Sequence, residues 1–170
     1  MSSVLQAFAE GALNPILLPD QALALVALGL FIGRQQQGRG VTLLVFAAAV
    51  AAGLFAIALA VGPTPARNVL LAVAAIVGLL VAAGWAPPPL GWPLAAIAGV
   101  ALGLDSPPQA ITLAQANAAL IGTALGACGL LLGVALCAGL AKQWWQQVGV
   151  RVLGSWIAAS AILVLAVMLK

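Results

Sequence analysis

Long apolar stretches, separated by short polar or proline-containing turns, run through almost the whole chain. A stretch of about 18 or more apolar residues is long enough to cross the hydrocarbon of a bilayer as a helix, where backbone amides must pair internally. The pattern therefore predicts an all-α, polytopic membrane bundle of six transmembrane helices in a single domain, residues 1–170. The predicted helices cover residues 16–33, 41–62, 66–84, 90–104, 110–141 and 148–169, after a mildly amphipathic lead-in over residues 1–15.

The fourth and fifth predicted helices are uneven in length. Residues 90–104 are short for a full crossing, whereas residues 110–141 would measure about 45 Å at 1.5 Å per residue, which is longer than a bilayer needs. The polar stretch 106–109, with further polar residues up to position 117, is expected to form a partly immersed entry to the fifth helix. Two interpretations stay open, because short, proline-interrupted segments often line a polar cavity and are also often irregular turns.

Composition narrows the classes of function. The chain is 65% hydrophobic and 5% charged and has no histidine, whereas a soluble domain carries about a quarter charged residues. A net charge of +3, scattered over segment ends, does not form a nucleic-acid-binding surface. Without histidine a Ser/His/Asp or Cys/His centre is impossible, and no G-x-x-x-x-G-K loop occurs, so we do not expect an enzyme. The expected partners are the lipid bilayer and, in one interpretation below, other membrane subunits or a second copy; no cofactor is identified.

Basic residues orient the bundle. With the N-terminus outside, four basic residues lie on the cytoplasmic side and two lie outside, which agrees with the positive-inside rule. The prediction is therefore N-out and C-out. The four are Arg34, Arg39, Lys142 and Arg151, and the two are Arg67 and Lys170.

Two of the three acidic residues are candidates for function. Asp20 follows Pro19 in the first turn of the first predicted membrane helix, and Asp105 lies between the fourth and the fifth. In the N-out orientation both lie at the outer face, where two carboxylates with polar neighbours would form a shallow cation site. The polar neighbours are Asn14, Gln21, Ser106 and Gln109. The alternative is that both aspartates cap helices and touch interfacial water, which demands no function.

A line of small residues follows one face of the fifth predicted helix. Gly122, Gly126, Gly129 and Gly133 recur at helical spacing, and glycine lets membrane helices approach closely. We expect this stripe to pack inside the bundle; a dimer face is the alternative.

Two stretches resemble the HupE/UreJ family. The run from Asn14 to Gln21, followed by an apolar helix, resembles the family pattern His-Pro-x-x-x-x-Asp-His, and the run from Ala101 to Pro107 resembles Ala-His-Gly-x-Glu-x-Pro. The skeleton residues Pro15, Asp20, Gly103 and Pro107 are kept in order. The resemblance implies a small protein of the bacterial inner membrane that is associated with nickel uptake for hydrogenase and urease, and it keeps Asp20 and Asp105 as ion-contacting positions.

The departures from the family pattern concern its histidines, which map to Asn14, Gln21 and Leu102. Imidazole is a preferred nickel ligand, whereas carboxylate and carbonyl oxygens suit magnesium, calcium or manganese. Nickel specificity is therefore not carried over. Two functions remain: a divergent permease for a small cation or solute that passes Asp20 and Asp105, and a non-transporting accessory subunit of a larger membrane complex.

Overall fold

The computed structural model describes residues 2–35, 37–58, 66–106 and 112–168, and all the regular structure in these residues is helical. In chain order the described helices are α1 (Ser2–Leu17), α2 (Pro19–Arg34), α3 (Arg39–Ala58), α4 (Ala66–Ala83), α5 (Pro88–Leu104), α6 (Leu113–Leu140) and α7 (Trp144–Met168). Four of them, α3, α4, α6 and α7, are long and apolar enough to cross a membrane. The pair α1 and α2 passes the same test as one broken span, and α5 is a shorter apolar helix.

The surface of this bundle is itself apolar. Large hydrophobic side chains such as Phe55 on α3, Leu125 on α6 and Leu163 on α7 are exposed. A protein in water rarely exposes apolar surface so widely. Long apolar helices with lipid-compatible outer faces indicate an integral membrane protein.

The N-terminal segment is a full helix rather than a lead-in, and it meets α2 at an angle of 71°. The break falls at Leu18, between Pro15 and Pro19, and neither proline has a backbone N–H to donate to the preceding turn. The hydrogen-bond ladder continues around the bend, because Leu18 N–H donates to the carbonyl of Asn14 (3.1 Å) and Ala22 N–H to that of Leu18 (2.9 Å). The predicted helix 16–33 is therefore corrected: residues 16 and 17 belong to α1, and α2 begins at Pro19.

Helix α2 lies at the centre of the bundle, in contact with α1, α6, α4 and α5. Its side chains Leu28, Phe31 and Ile32 are fully buried. Gly29 faces Val134 of α6, and Gly33, one turn later, faces Ala138. Since both positions advance together, α2 and α6 run in the same direction.

Two further helix pairs are joined by glycines that touch the backbone of the opposite helix. A Cβ on Gly103 of α5 would lie 2.7 Å from the Cα of Gly53 of α3. A Cβ on Gly78 of α4 would lie 2.8 Å from the carbonyl oxygen of Gly154 of α7, and a Cβ on Gly154 would lie 2.9 Å from that of Gly78. Small residues thus set the spacing of α3 against α5 and of α4 against α7.

The predicted glycine stripe of α6 divides into two parts. Gly122 and Gly126 lie directly against the backbone of α1, at Phe8 and Ala12. No described atom of other parts of the chain lies within 4 Å of where a Cβ would stand on Gly129 or Gly133. The chain therefore supplies a packing partner at the first two glycines, and the described residues supply none at the last two.

Candidate functional site

Five polar side chains from three helix ends converge at one end of the bundle. Asp20 and Gln21 lie in the first turn of α2, Arg67 lies in the first turn of α4, and Asp105 and Ser106 directly follow α5. Pro19 is the first residue of α2. An N–H at this position would have no acceptor within the helix, so its absence in proline costs no hydrogen bond. We refer to these five residues as the acidic cluster.

The end of α5 is fixed by its own backbone. Asp105 N–H donates to the carbonyl of Ala101 (2.9 Å), and Ser106 N–H donates to that of Gly103 (3.3 Å). The hydroxyl of Ser106 donates to the carbonyl of Leu102 at 2.9 Å. These bonds satisfy carbonyls that the helix end leaves open, and they hold Asp105 and Ser106 in place against α2.

Gln21 ties α2 to the end of α5. Its side chain is completely buried, and its Nε2 donates to Oδ2 of Asp105 at 3.1 Å and to Oγ of Ser106 at 3.2 Å. A buried amide that donates to a carboxylate is a charge-assisted hydrogen bond, which is stronger than one between neutral groups. Gln21 therefore positions the carboxylate of Asp105.

Asp20 forms an ion pair with Arg67. The two side chains meet at 2.8 Å, between Oδ2 of Asp20 and Nε of Arg67, with 5% of the Asp20 side chain exposed and 52% of the Arg67 side chain exposed. The sequence interpretation did not include Arg67 in the site. A signal was present, since the orientation rule places Arg67 on the same face as both aspartates.

Two oxygen atoms in the cluster lack a donor. Oδ1 of Asp20 and Oε1 of Gln21 are buried and accept no hydrogen bond from the described residues. Leaving a buried acceptor unpaired costs about 1–3 kcal/mol, more for a charged group. A water molecule, a bound cation or the polar group of a solute would satisfy such oxygens. Within the described part of the chain, no group of three or more His, Cys, Asp or Glu side chains comes together, so the site is limited to two carboxylates.

The pKa of Asp105 depends on its burial and on three neighbours in the cluster. Burial raises the pKa of Asp105, the hydrogen bond from Gln21 lowers it, the neighbouring carboxylate of Asp20 raises it further, and Arg67 lowers it, in decreasing order of size. With burial dominant, the pKa of Asp105 lies above its ordinary value. A proton and a cation would therefore compete for this carboxylate.

Of the other two predicted site residues, only Asn14 lies among the described residues. Asn14 is half-buried in the last turn of α1, and its backbone carbonyl accepts the N–H of Leu18; among the described residues its side chain has no hydrogen bond to the acidic cluster. Gln109 lies outside the described residues, as does Pro107. The structure thus brings together Asp20, Gln21, Asp105 and Ser106, and it adds Arg67.

The family match covers the helices that build this cluster. The HupE / UreJ protein family model matches residues 2–164, which include α1 to α6 and most of α7. The chain belongs to the HupE/UreJ family. No curated protein and no solved structure gives a significant match to it. Of the positions where the resemblance places a histidine, Gln21 now supplies an amide to the cluster, whereas Leu102 is fully buried in the core of this HupE/UreJ protein.

Proposed function

We propose that this HupE/UreJ protein is a membrane permease for a small hard cation or a small polar solute, which passes the acidic cluster. The observation that carries the proposal is that Asp20 and Asp105, from two different helices, lie in one cluster in which two buried oxygens, Asp20 Oδ1 and Gln21 Oε1, have no donor among the described residues. Membrane proteins rarely place ionisable groups together away from water unless the groups serve a pathway, a relay or a partner.

The break between α1 and α2 supports the same function. Transporters often build their substrate sites where a membrane helix is interrupted. Here the break at Leu18 directly precedes Asp20 and Gln21. The cluster carries two negative side chains, Asp20 and Asp105, against the one positive side chain of Arg67, and this balance favours a cation.

The donor atoms select the kind of cation. All candidate ligands in the cluster are oxygens of carboxylates, an amide or a hydroxyl, and such ligands suit magnesium, calcium or manganese more than nickel. Family membership associates the chain with nickel or other metal uptake, but a chain without histidine lacks the nitrogen ligands that nickel prefers. Two carboxylates, one already paired, would bind a cation modestly, as passage requires.

The proposed topology has six spans, N-out and C-out, in a bacterial cytoplasmic membrane. The chain direction of the helix pairs supports it: α2 and α6 are parallel, and α3 and α5 are parallel because Gly99 faces Ala49 while Gly103 faces Gly53. Alternating crossings would produce these directions if α2 and α5 each count as one span. In this topology the acidic cluster faces outward.

Uptake by the protein reconstituted into vesicles tests the permease. The probes are Mg²⁺, Mn²⁺, Ca²⁺ and Ni²⁺, each measured for the wild type and for the variants Asp20→Asn and Asp105→Asn. We expect each variant to lower uptake of the accepted ion at least about tenfold, which corresponds to about 1.4 kcal/mol. Glu10→Gln is the matched control, since Glu10 is the third acid of the chain and pairs only with Gln6 on α1 among the described residues. Normal uptake by both aspartate variants would remove the proposal.

A non-transporting accessory subunit is the second candidate, and the open half of the α6 stripe favours it. Gly129 and Gly133 present a smooth surface that no described part of the chain covers, and Cys137 continues it. A helix of another membrane subunit, or of a second copy, would fit such a surface. The test is stoichiometric co-purification after mild solubilisation, compared between the wild type and Gly129→Leu. A lone, monodisperse wild-type protein contradicts this function.

A further inference from the structure

Two arginines converge at the end of the bundle opposite the acidic cluster. Helix α4 ends there at Ala83, and Gly84 follows with φ 78°, a left-handed conformation that glycine adopts without strain. A Cβ on Gly84 would lie 3.6 Å from Nε of Arg151 and 3.6 Å from Nη2 of Arg34. Since both nitrogens lie close to one point, they are at most about 7 Å apart.

No carboxylate side chain of the protein accompanies these two positive charges. The three acidic residues of the chain are Glu10, Asp20 and Asp105; Glu10 lies on α1, and the two aspartates belong to the acidic cluster at the other end of α2. Two like charges held this close repel each other, and an anion between them would turn the repulsion into attraction.

Most hydrogen-bond donors of the pair remain available. Arg151 uses Nε to cap α4, by donating to the carbonyl of Ala82 at 2.9 Å. Nη1 of Arg34 is buried and has no acceptor among the described residues. Each guanidinium has five N–H donors, and the bond to Ala82 is the one side-chain hydrogen bond of the pair within the described part of the chain; most of the donors therefore have no acceptor there. The negative helix end of α4 offsets part of the charge, and it supplies no acceptor to Nη1 of Arg34.

The neighbouring tryptophans locate this end of the bundle at the depth of lipid headgroups. Trp85 directly follows Gly84 and is 60% exposed, and Trp144 and Trp145 at the start of α7 are exposed as well. Tryptophan is enriched at the boundary between hydrocarbon and water. The anions present at this depth of a bilayer are the phosphate groups of the lipid headgroups.

We infer that Arg34 and Arg151, on either side of Gly84, form a phosphate-binding site whose occupant is the headgroup phosphate of an anionic phospholipid. A planar guanidinium group can donate two parallel hydrogen bonds to two oxygens of one phosphate. Because Gly84 has no side chain, there is room for the phosphate between the two arginines. Free inorganic phosphate offers the same chemistry and is the second possible source. The site is independent of the acidic cluster and of any transport activity.

Native mass spectrometry of the full protein in mild detergent tests the site. The added probes are phosphatidylglycerol, phosphatidylcholine and inorganic phosphate, each titrated against the wild type, Arg34→Gln, Arg151→Gln and the control Lys142→Gln, which removes the same charge from an exposed side chain at the same end of the bundle. We expect phosphatidylglycerol to bind the wild type more tightly than phosphatidylcholine does, and either Arg34→Gln or Arg151→Gln to weaken it about tenfold. Binding of inorganic phosphate with the same dependence on these two arginines would support the site with a free anion as its source. Phosphatidylglycerol binding that is unchanged in both arginine variants, or that falls equally with Lys142→Gln, would overturn the inference.

Gly84→Asp provides a second test in case an arginine variant does not fold. Aspartate tolerates the left-handed conformation better than most residues do, and its carboxylate would reach both guanidinium groups as a built-in counter-ion. We expect this variant to keep or raise the thermal unfolding temperature and to lose the preference for phosphatidylglycerol. A Gly84→Asp protein that is folded and retains the wild-type preference would refute the site.

Discussion

Removing Arg67 should harm the protein more than removing the charge of the aspartate it pairs with. Arg67→Gln leaves the carboxylate of Asp20 buried, with Oδ1 already unpaired and Oδ2 now without its partner. Asp20→Asn replaces the carboxylate with a neutral group of the same shape, while the half-exposed Arg67 turns to water. The order of the two effects follows from which partner is buried.

The size of the effect can be estimated from the exposure of the pair. Two unit charges about 4 Å apart attract by about 4 kcal/mol at an effective dielectric constant of about 20. Because half of the Arg67 side chain is in contact with solvent, about half of that attraction is screened, which leaves about 2 kcal/mol. We expect Arg67→Gln to lower the free energy of unfolding by about 2 kcal/mol, and Asp20→Asn by less than about 1 kcal/mol.

A double-mutant cycle in detergent micelles measures both effects and their coupling. The four proteins are the wild type, the two single variants and the combined Asp20→Asn/Arg67→Gln protein, compared by equilibrium unfolding at neutral pH. The combined protein should be as stable as Asp20→Asn alone, because no buried charge is left without a partner. An Arg67→Gln protein no less stable than Asp20→Asn, or a double variant as unstable as Arg67→Gln, would refute the reasoning.

Three further predictions concern packing and the acidic cluster. Gly103→Ala should lower stability by about 1–3 kcal/mol, because the new methyl meets the backbone of Gly53, whereas Gly129→Ala should raise it by up to about 1 kcal/mol through helix propensity alone; equal thermal shifts would contradict this. Gln21→Leu should lower stability by about 1–3 kcal/mol, since it removes the donor to Asp105, and Gln21→Glu under acidic conditions should recover part of the loss in the same unfolding assay. Burial raises the pKa of Asp105, so between the ordinary aspartate pKa and this raised pKa the native protein binds a proton that the unfolded chain has released. The free energy of unfolding should therefore fall as the pH rises through that interval. Asp105→Asn should remove this pH dependence in melts recorded over a pH series.

The hydropathy pattern predicted most of the helices, because long apolar runs in this chain leave little choice of structure. Predicted helix 66–84 is observed as α4, Ala66–Ala83. The last helix begins at Trp144 and not at residue 148. The prediction assigned residues 144–147 to a turn because glutamines make that stretch polar, whereas in the structure they belong to the helix. The hydropathy pattern does not predict the break at Leu18, because the residues on both sides of it are similarly apolar. The sequence signal for the break is the pair Pro15 and Pro19, which lack two of the backbone N–H donors of a continuous helix.

The acidic cluster could be predicted only as far as topology allows. The orientation rule places Asp20 and Asp105 on one face, and the structure brings them into one cluster. The ion pair with Arg67 and the two bonds of Gln21 depend on which way side chains leave their helices. That direction follows from how α2 packs against α4 and α5, which one sequence does not reveal.

The crossing of α4 and α7 constrains how this protein can change. Gly78 and Gly154 each stand where a Cβ would strike the main chain of the other. When a side chain in a protein core grows, a neighbour can commonly shrink to make room. Neither glycine at this crossing has a side chain that a second substitution could make smaller. A larger residue at one position therefore cannot be compensated by a change at the other, and it must push the two helices apart.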